Sequence, residues 1–248
     1  MQAKRCPGSL GFVQPKPEMF ACPACGREVE IWSDEATREC PACGKTVFRP
    51  GMQSCLDWCK HAVECVGDEK LAQYVRMKGM MRKQALARAM EDYFGDDARR
   101  IRHAQRTAEY AERILADTPE ADPNIVMAAA YLHDIGIRNA EAKYGSADAA
   151  HQETEGPPVA RDILRRLDYA EAFIGEVCDI VGRHHHPRPE ETANFKALYD
   201  ADQLVNAEES LARANEPRAA IASRLLTEAG RKLSIELSLA QPGNRRTQ

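Results

Sequence analysis

The sequence predicts a mainly α protein, a helical bundle preceded by a small cysteine-rich module with short β-strands. Eight of the nine cysteines fall before residue 66, and Cys-Pro-Ala-Cys-Gly occurs twice within that stretch. From about residue 68 apolar side chains recur at helical spacing. The 248 residues, 44% apolar and 29% charged, suffice for one or two globular domains with a sizeable core. Thirty-four Lys and Arg against 38 Asp and Glu give a net charge of −4. Residues 1–95 hold 14 basic and 12 acidic side chains and the rest 20 and 26, which is not the positive field of a dedicated nucleic-acid binder. No run approaches the roughly 20 apolar residues of a membrane span. Cys6-Pro7-Gly8 stands where a signal peptide would place its apolar run, so a cytoplasmic location is expected. Four segments follow: a cysteine-rich module over 1–66, a connecting helical segment over 67–95, a helical domain over 96–210, and a C-terminal helix with a flexible tail over 211–248.

In the head, Cys22-Pro23-Ala24-Cys25-Gly26 recurs as Cys40-Pro41-Ala42-Cys43-Gly44. Two residues between thiols let both sulfurs face one point across a tight turn, and the following Gly permits the backbone conformation that aims amides at them. Two such knuckles make a closed tetrahedral site of four thiolates. Glu28–Trp32 alternates polar and apolar, and Thr46-Val47-Phe48 follows the second knuckle, so short strands are expected around the site. The arrangement, over about residues 20–50, resembles a zinc ribbon, with a structural zinc held by Cys22, Cys25, Cys40 and Cys43. Cys55, Cys59 and Cys65, with Cys6 completing four, form a second candidate set for zinc or an iron–sulfur cluster, with His61 able to replace one thiol. Buried free thiols are the alternative.

In the body, Leu86, Met90 and Phe94 form a core stripe, and Gly95-Asp96 breaks the run, with Asp96 as candidate N-cap for the next helix. There His103 shares a face with Thr107, Tyr110 and Ile114. A third apolar helix, Ile125–Leu132, ends in His133-Asp134-Ile135-Gly136, where imidazole and carboxylate can turn to one cation and Gly136 reads as the helix stop. Ile174, Val177, Val181 and His184 keep helical spacing, with His185 and His186 following and Pro187 ending that helix. Leu198, Asp202 and Val205 share an inward stripe on which an unpaired carboxylate would be costly, whereas Asp200 points away and reads as a surface residue. Ile221, Leu225, Ala229, Leu233 and Leu237 predict a last helix, packed on the body or at a dimer contact, before a frayed tail.

An isolated His, then His-Asp, further His, and a final Asp within Asp-Ala-Asp-Gln-Leu together resemble the superfamily of HD-domain metal-dependent phosphohydrolases over about residues 96–210. The resemblance implies an HD-type helical bundle and a divalent metal, manganese, iron, cobalt, nickel or magnesium, held by His103, His133, Asp134 and Asp202. It also implies a second metal at His184 and His185 in some members. Here Glu155 stands where a further histidine is expected, with His151 one turn upstream, which favours one firmly bound ion.

Two nitrogens and two carboxylates leave open positions for water and a phosphate oxygen. The expected activity is hydrolysis of a phosphate ester or anhydride in a nucleotide or small phosphorylated metabolite. In that reading Asp134 orients or deprotonates water, Arg138 clamps phosphate, and His184 or His185 protonates the leaving group. Arg183 is a weaker phosphate candidate, and Glu155 a candidate partner of bound water. The alternative is a non-catalytic metal or redox sensor, or a nucleotide-binding adaptor. A nucleic-acid tether through the ribbon is disfavoured by charge, and no membrane partner is expected.

Overall fold

In a computed structural model the described residues are 17–32, 35, 37–48, 55–57, 59–211 and 218–239. They divide into two compact units, 1–80 and 81–248.

In the first unit, Pro17–Ala21 (β1) pairs antiparallel with Glu28–Trp32 (β2), and Thr37–Glu39 (β3) with Thr46–Phe48 (β4). Each hairpin turn is one of the two Cys-Pro-Ala-Cys-Gly repeats, so the internal repeat is a repeated hairpin. The alternation in β2 buries Val29 and Ile31 beside Cys22, Cys40 and Val47, a core of few side chains that the thiols complete. Ala62–Val66 (α1) and the long helix Asp68–Phe94 (α2) follow, with Leu56, Ala62 and Tyr74 forming a second small cluster. The boundary between the units falls within α2.

The second unit is helical: Ala98–Leu115 (α3), Pro123–Leu132 (α4), Ile137–Tyr144 (α5), Ala149–Arg166 (α6), Glu171–Val181 (α7), Ala193–Leu211 (α8), Arg218–Arg224 (α9) and Glu228–Leu239 (α10). No described helix is long and apolar enough to cross a membrane. Every residue of α4 from Ile125 to Leu132 is buried, and α4 contacts α3, α7 and α8, which makes it the centre of the bundle. Leu86, Met90 and Phe94 of α2 join this core. Aspartates start three helices: Asp97, Asp122 and Asp148 accept from the amides of Arg100, Asn124 and His151 at 3.1, 2.8 and 3.0 Å.

Four local expectations need correction. The cap of α3 is Asp97, not Asp96. Gly136 does not stop α4, which ends at Leu132; it opens α5 after a turn. The helix before Pro187 ends early, α7 stopping at Val181 with Gly182 as its cap, so His184–His186 lie in a turn. Asp200 is not on the surface. It is wholly buried and accepts from the amides of Leu226 and Thr227 (2.7 Å each) and from Thr227 Oγ1 (2.6 Å). Helix α8 packs against α3 and α4 and also against α9 and α10, so the direction opposite Asp202 is interior too. This bonding divides the expected last helix into α9 and α10, while Ile221, Leu225, Ala229 and Leu233 stay buried as one stripe.

Candidate metal centres

The four ribbon cysteines converge. Cys22 Sγ lies 3.6 Å from Cys43 Sγ, and Cys25 Sγ lies 3.6 Å from Cys40 Sγ. Gly26 and Gly44 take φ of +73° and +67°, and their amides donate to the carbonyls of Cys22 and Cys40 at 2.8 and 2.9 Å. Burial raises the Cys40 thiol, but the amides of Ala42 and Cys43 and the neighbouring thiols outweigh it and bring the group down to about 7. Four converging sulfurs with amide support fit a zinc-ribbon-like module.

Of the second cysteine set, Cys6 and the side chain of Cys55 lie outside the described residues. Cys59 is half-buried and Cys65 exposed. His61 is partly exposed, with Nδ1 3.0 Å from Glu64 Oε2.

In the body, α3 supplies His103, the end of α4 supplies His133 and Asp134, the turn after α7 supplies His184 and His185, and α8 supplies Asp202. His103 Nε2 lies 3.2 Å from His133 Nε2, 3.1 Å from Asp202 Oδ1 and 3.7 Å from Asp134 Oδ2. His133 Nε2 lies 3.5 Å from both Asp134 Oδ2 and Asp202 Oδ1. The other oxygen of Asp134, Oδ1, lies 3.5 Å from His184 Nε2. Two donor sets result, His103, His133 and Asp202 on one side and Asp134, His184 and His185 on the other.

The tautomers follow from the remaining ring nitrogens. His133 Nδ1 donates to Ala130 O (3.0 Å) and His184 Nδ1 to Val181 O (2.9 Å), which leaves each Nε2 with its lone pair. His103 Nδ1 meets Glu209 Oε1 at 3.1 Å, so its Nε2 likewise turns inward. Buried His184 Nε2 and Asp202 Oδ2 make no hydrogen bond among the described residues. Lone pairs and carboxylate oxygens facing one another, two of them without partners, fit a cation rather than a hydrogen-bonded core.

The electrostatics agree. Burial pulls His103 down, but its bond to Asp202 and the charges of Asp134, Asp202 and Glu209 lift it to about 9, so the pocket favours positive charge. Asp134 and Asp202 stay ionised despite burial because the imidazoles hold their pKa values below the ordinary carboxylate range. Burial and the neighbouring His184 push His185 down to about 4.

A cavity of about 350 Å³ opens over this cluster, lined by His103, Asp134, His185 and Asp202 and rimmed by Arg99, Arg100, Glu141, Gln152, Asn206 and Glu209. The sequence model of the HD domain family matches residues 100–224, half of the chain, and spans both donor sets. The chain belongs to the HD domain family. Comparison with curated proteins and with solved structures finds no match.

Other residues singled out in the HD domain lie elsewhere. Arg138 donates to Tyr93 O (2.6 Å) and lines a separate cleft with Tyr93 and Arg166, because it leaves α5 on the side facing α2. Arg183 is taken up by Asp179 and Glu191 and lies over the Phe195 ring. Glu155 accepts from Lys143 Nζ and Tyr144 OH, at 2.7 and 2.8 Å, outside the cavity. His151 stacks on Tyr144 at 4.1 Å. The α6 residue that reaches the cavity is Gln152, 3.4 Å from His185 Nε2. His184 is wholly buried and does not line the cavity, whereas His185 does.

The sequence reading passed over Arg99, Asn206 and Glu209. Spacing signals them: Arg99 precedes His103 by four residues, and Asn206 and Glu209 follow Asp202 by four and seven, on the same helix faces.

Proposed function

We propose that the HD domain is a metal-dependent phosphohydrolase acting on a phosphate ester or anhydride of a nucleotide or small phosphorylated metabolite. The placement of Asp134 carries the reading. It turns Oδ2 toward His103 and His133 and Oδ1 toward His184, so two donor sets share one carboxylate at the floor of a cavity with room for a phosphoryl group. His103, His133, Asp134 and Asp202 would hold a divalent cation, manganese, iron, cobalt, nickel or magnesium by donor type. The second set supports a two-metal arrangement, which the departure at Glu155 argued against. A cation bound there supplies charge screening at the phosphoryl oxygens and activation of water. The chain's own contribution is to orient that water through Asp134, and to present His185 toward the leaving group or as a further ligand. His184, tied at Nδ1 and walled off from the cavity, fits a ligand and not a proton donor. In the head, the four thiolates would hold a structural zinc.

The test is phosphate release from a panel of nucleotides and sugar phosphates by protein stripped of metal and reloaded with each divalent ion. Turnover that requires added metal and disappears in Asp202→Ala is expected. A filled site that binds nucleotide tightly and releases no phosphate from any substrate would overturn the reading in favour of an adaptor.

A further inference from the structure

We propose that the substrate carries a second phosphate besides the one hydrolysed, and that Arg99 and Arg102 hold it in a cleft adjoining the metal pocket; this rests on the phosphohydrolase reading of that pocket.

The cleft, of about 530 Å³, shares Arg99, His103 and Glu209 with the metal cavity and runs on along α3 past Arg102 and Arg106. Its charges are not all available. Arg106 is spent on Glu208, with Nε to Oε2 at 2.8 Å and Nη2 to Oε1 at 2.9 Å, and on Glu109 at 2.5 Å. Glu209 meets His103. At the rim of the metal cavity, Arg100 is spent on Asp97 and Glu141. Arg99 and Arg102 differ from these neighbours. Both are exposed, and neither makes a hydrogen bond or ion pair among the described residues. Arg106 already answers two carboxylates and His103 a third, so Arg99 and Arg102 are the two guanidiniums of the cleft that no carboxylate engages.

Their spacing says what they suit. Three residues apart on a helix, they stand on successive turns about 4.5 Å apart along the axis. A guanidinium fork matches a phosphate bidentately. Arg99 borders both cavities, so an anion it holds adjoins the hydrolytic position, and Arg102 lies beyond it. A monophosphate would leave Arg102 facing water. A nucleoside di- or triphosphate, or a nucleoside bisphosphate, would span both.

The test compares AMP with ADP, ATP and adenosine 3′,5′-bisphosphate, in excess divalent metal, for the full-length protein, the double variant Arg99→Ala/Arg102→Ala and the double lysine variant. The expected result is that the ratio of kcat/KM for at least one two-phosphate substrate to that for AMP falls about tenfold or more in the alanine variant. The lysine variant should lose less, and metal content should match the unaltered protein. An unchanged ratio, or parallel losses on AMP and on every other substrate, would overturn the proposal. If the unaltered protein releases no phosphate from any substrate, the same ratio is read from equilibrium binding. A selective loss then supports the arginine subsite although the hydrolytic reading has failed, and no selective loss overturns the subsite as well.

Discussion

Gly136 and Gly156 meet backbone to backbone with no room for a carbon atom between them: a Cβ on Gly136 would lie 2.5 Å from Gly156 N and 2.4 Å from Gln152 O. This contact seats the turn carrying Asp134 on α6. On its other side a Cβ on Gly156 would lie 2.7 Å from Val181 Cγ1, at the end of the helix that leads to His184. Gly136→Ala meets only backbone, which no rotamer change relieves. It should cost about 1–3 kcal/mol in denaturant unfolding and lower the metal content of the body, because Asp134 moves with the turn. Gly156→Ala meets the tip of a side chain and should cost less. Equal effects of the two substitutions would show that the Asp134 turn is not seated by this approach.

Asp200 and Asp202 stand two residues apart on α8, both buried, and their substitutions should separate cleanly. Asp200 has both oxygens against donors, so Asp200→Asn sets an amide NH2 against N–H or O–H groups and should destabilise about as much as Asp200→Ala, about 1–3 kcal/mol. Its metal content should persist. Asp202→Ala removes a buried carboxylate that has one oxygen without a hydrogen-bond partner. The metal-free protein loses the bonds of Asp202 Oδ1 to His103 and Asn206 and should drop in Tm, and the rise in Tm on adding divalent metal should vanish as well, a gain worth about 2.7 kcal/mol at a hundred times Kd in the unaltered protein. Differential scanning calorimetry with and without metal reads both outcomes.

These two aspartates also mark how far the sequence could be read. Asp202 was legible because a charge on an apolar stripe needs a partner; His103 stood out by its inward face, and the His133-Asp134 pair as an imidazole and a carboxylate side by side at a helix end. Asp200 was misread because helical angle gives direction and not what lies in that direction; the helices that cover it come from the chain's end. The ribbon was legible from spacing alone, since two knuckles with a Gly after each admit few geometries. Arg138 looked suited to a phosphate by its distance from Asp134, but the turn at 133–136 rotates α5 so that Arg138 meets Tyr93 instead. Gln152 went unread because an uncharged amide carries no signal until a neighbouring helix is known, whereas Glu209 was signalled by its place seven residues after Asp202 on the same face.

Substitution in the knuckles should act locally. Cys22 and Cys40 are the buried pair and Cys25 and Cys43 the exposed one, yet all four sulfurs are needed to close a tetrahedral site. Any one changed to Ser in the full-length chain should lower zinc by about one equivalent, measured by elemental analysis, and expose residues 17–48 to protease, since few apolar side chains remain to hold the hairpins. Phosphate release and the metal-dependent rise in Tm of the body should be retained. Retention of full zinc by Cys25→Ser and Cys43→Ser alike would remove the four-thiolate assignment.

Glu209 should act on the metal through His103. Its Oε1 receives the Nδ1 proton at 3.1 Å, which fixes the ring so that Nε2 points between His133 and Asp202. Glu209→Ala frees that ring, and metal affinity, measured by competition with a chromogenic chelator, should fall by about 10–100-fold. Glu209→Gln keeps an acceptor at the same place and should recover most of the affinity. Glu208→Ala is the control next door: Glu208 binds Arg106 and Tyr110 and does not touch His103, so it should leave metal affinity unchanged. If both alanine variants weaken metal equally, the effect comes from the charge of the cleft and not from the orientation of His103. The glutamine variant decides the same point independently, because it removes the charge while keeping the hydrogen bond.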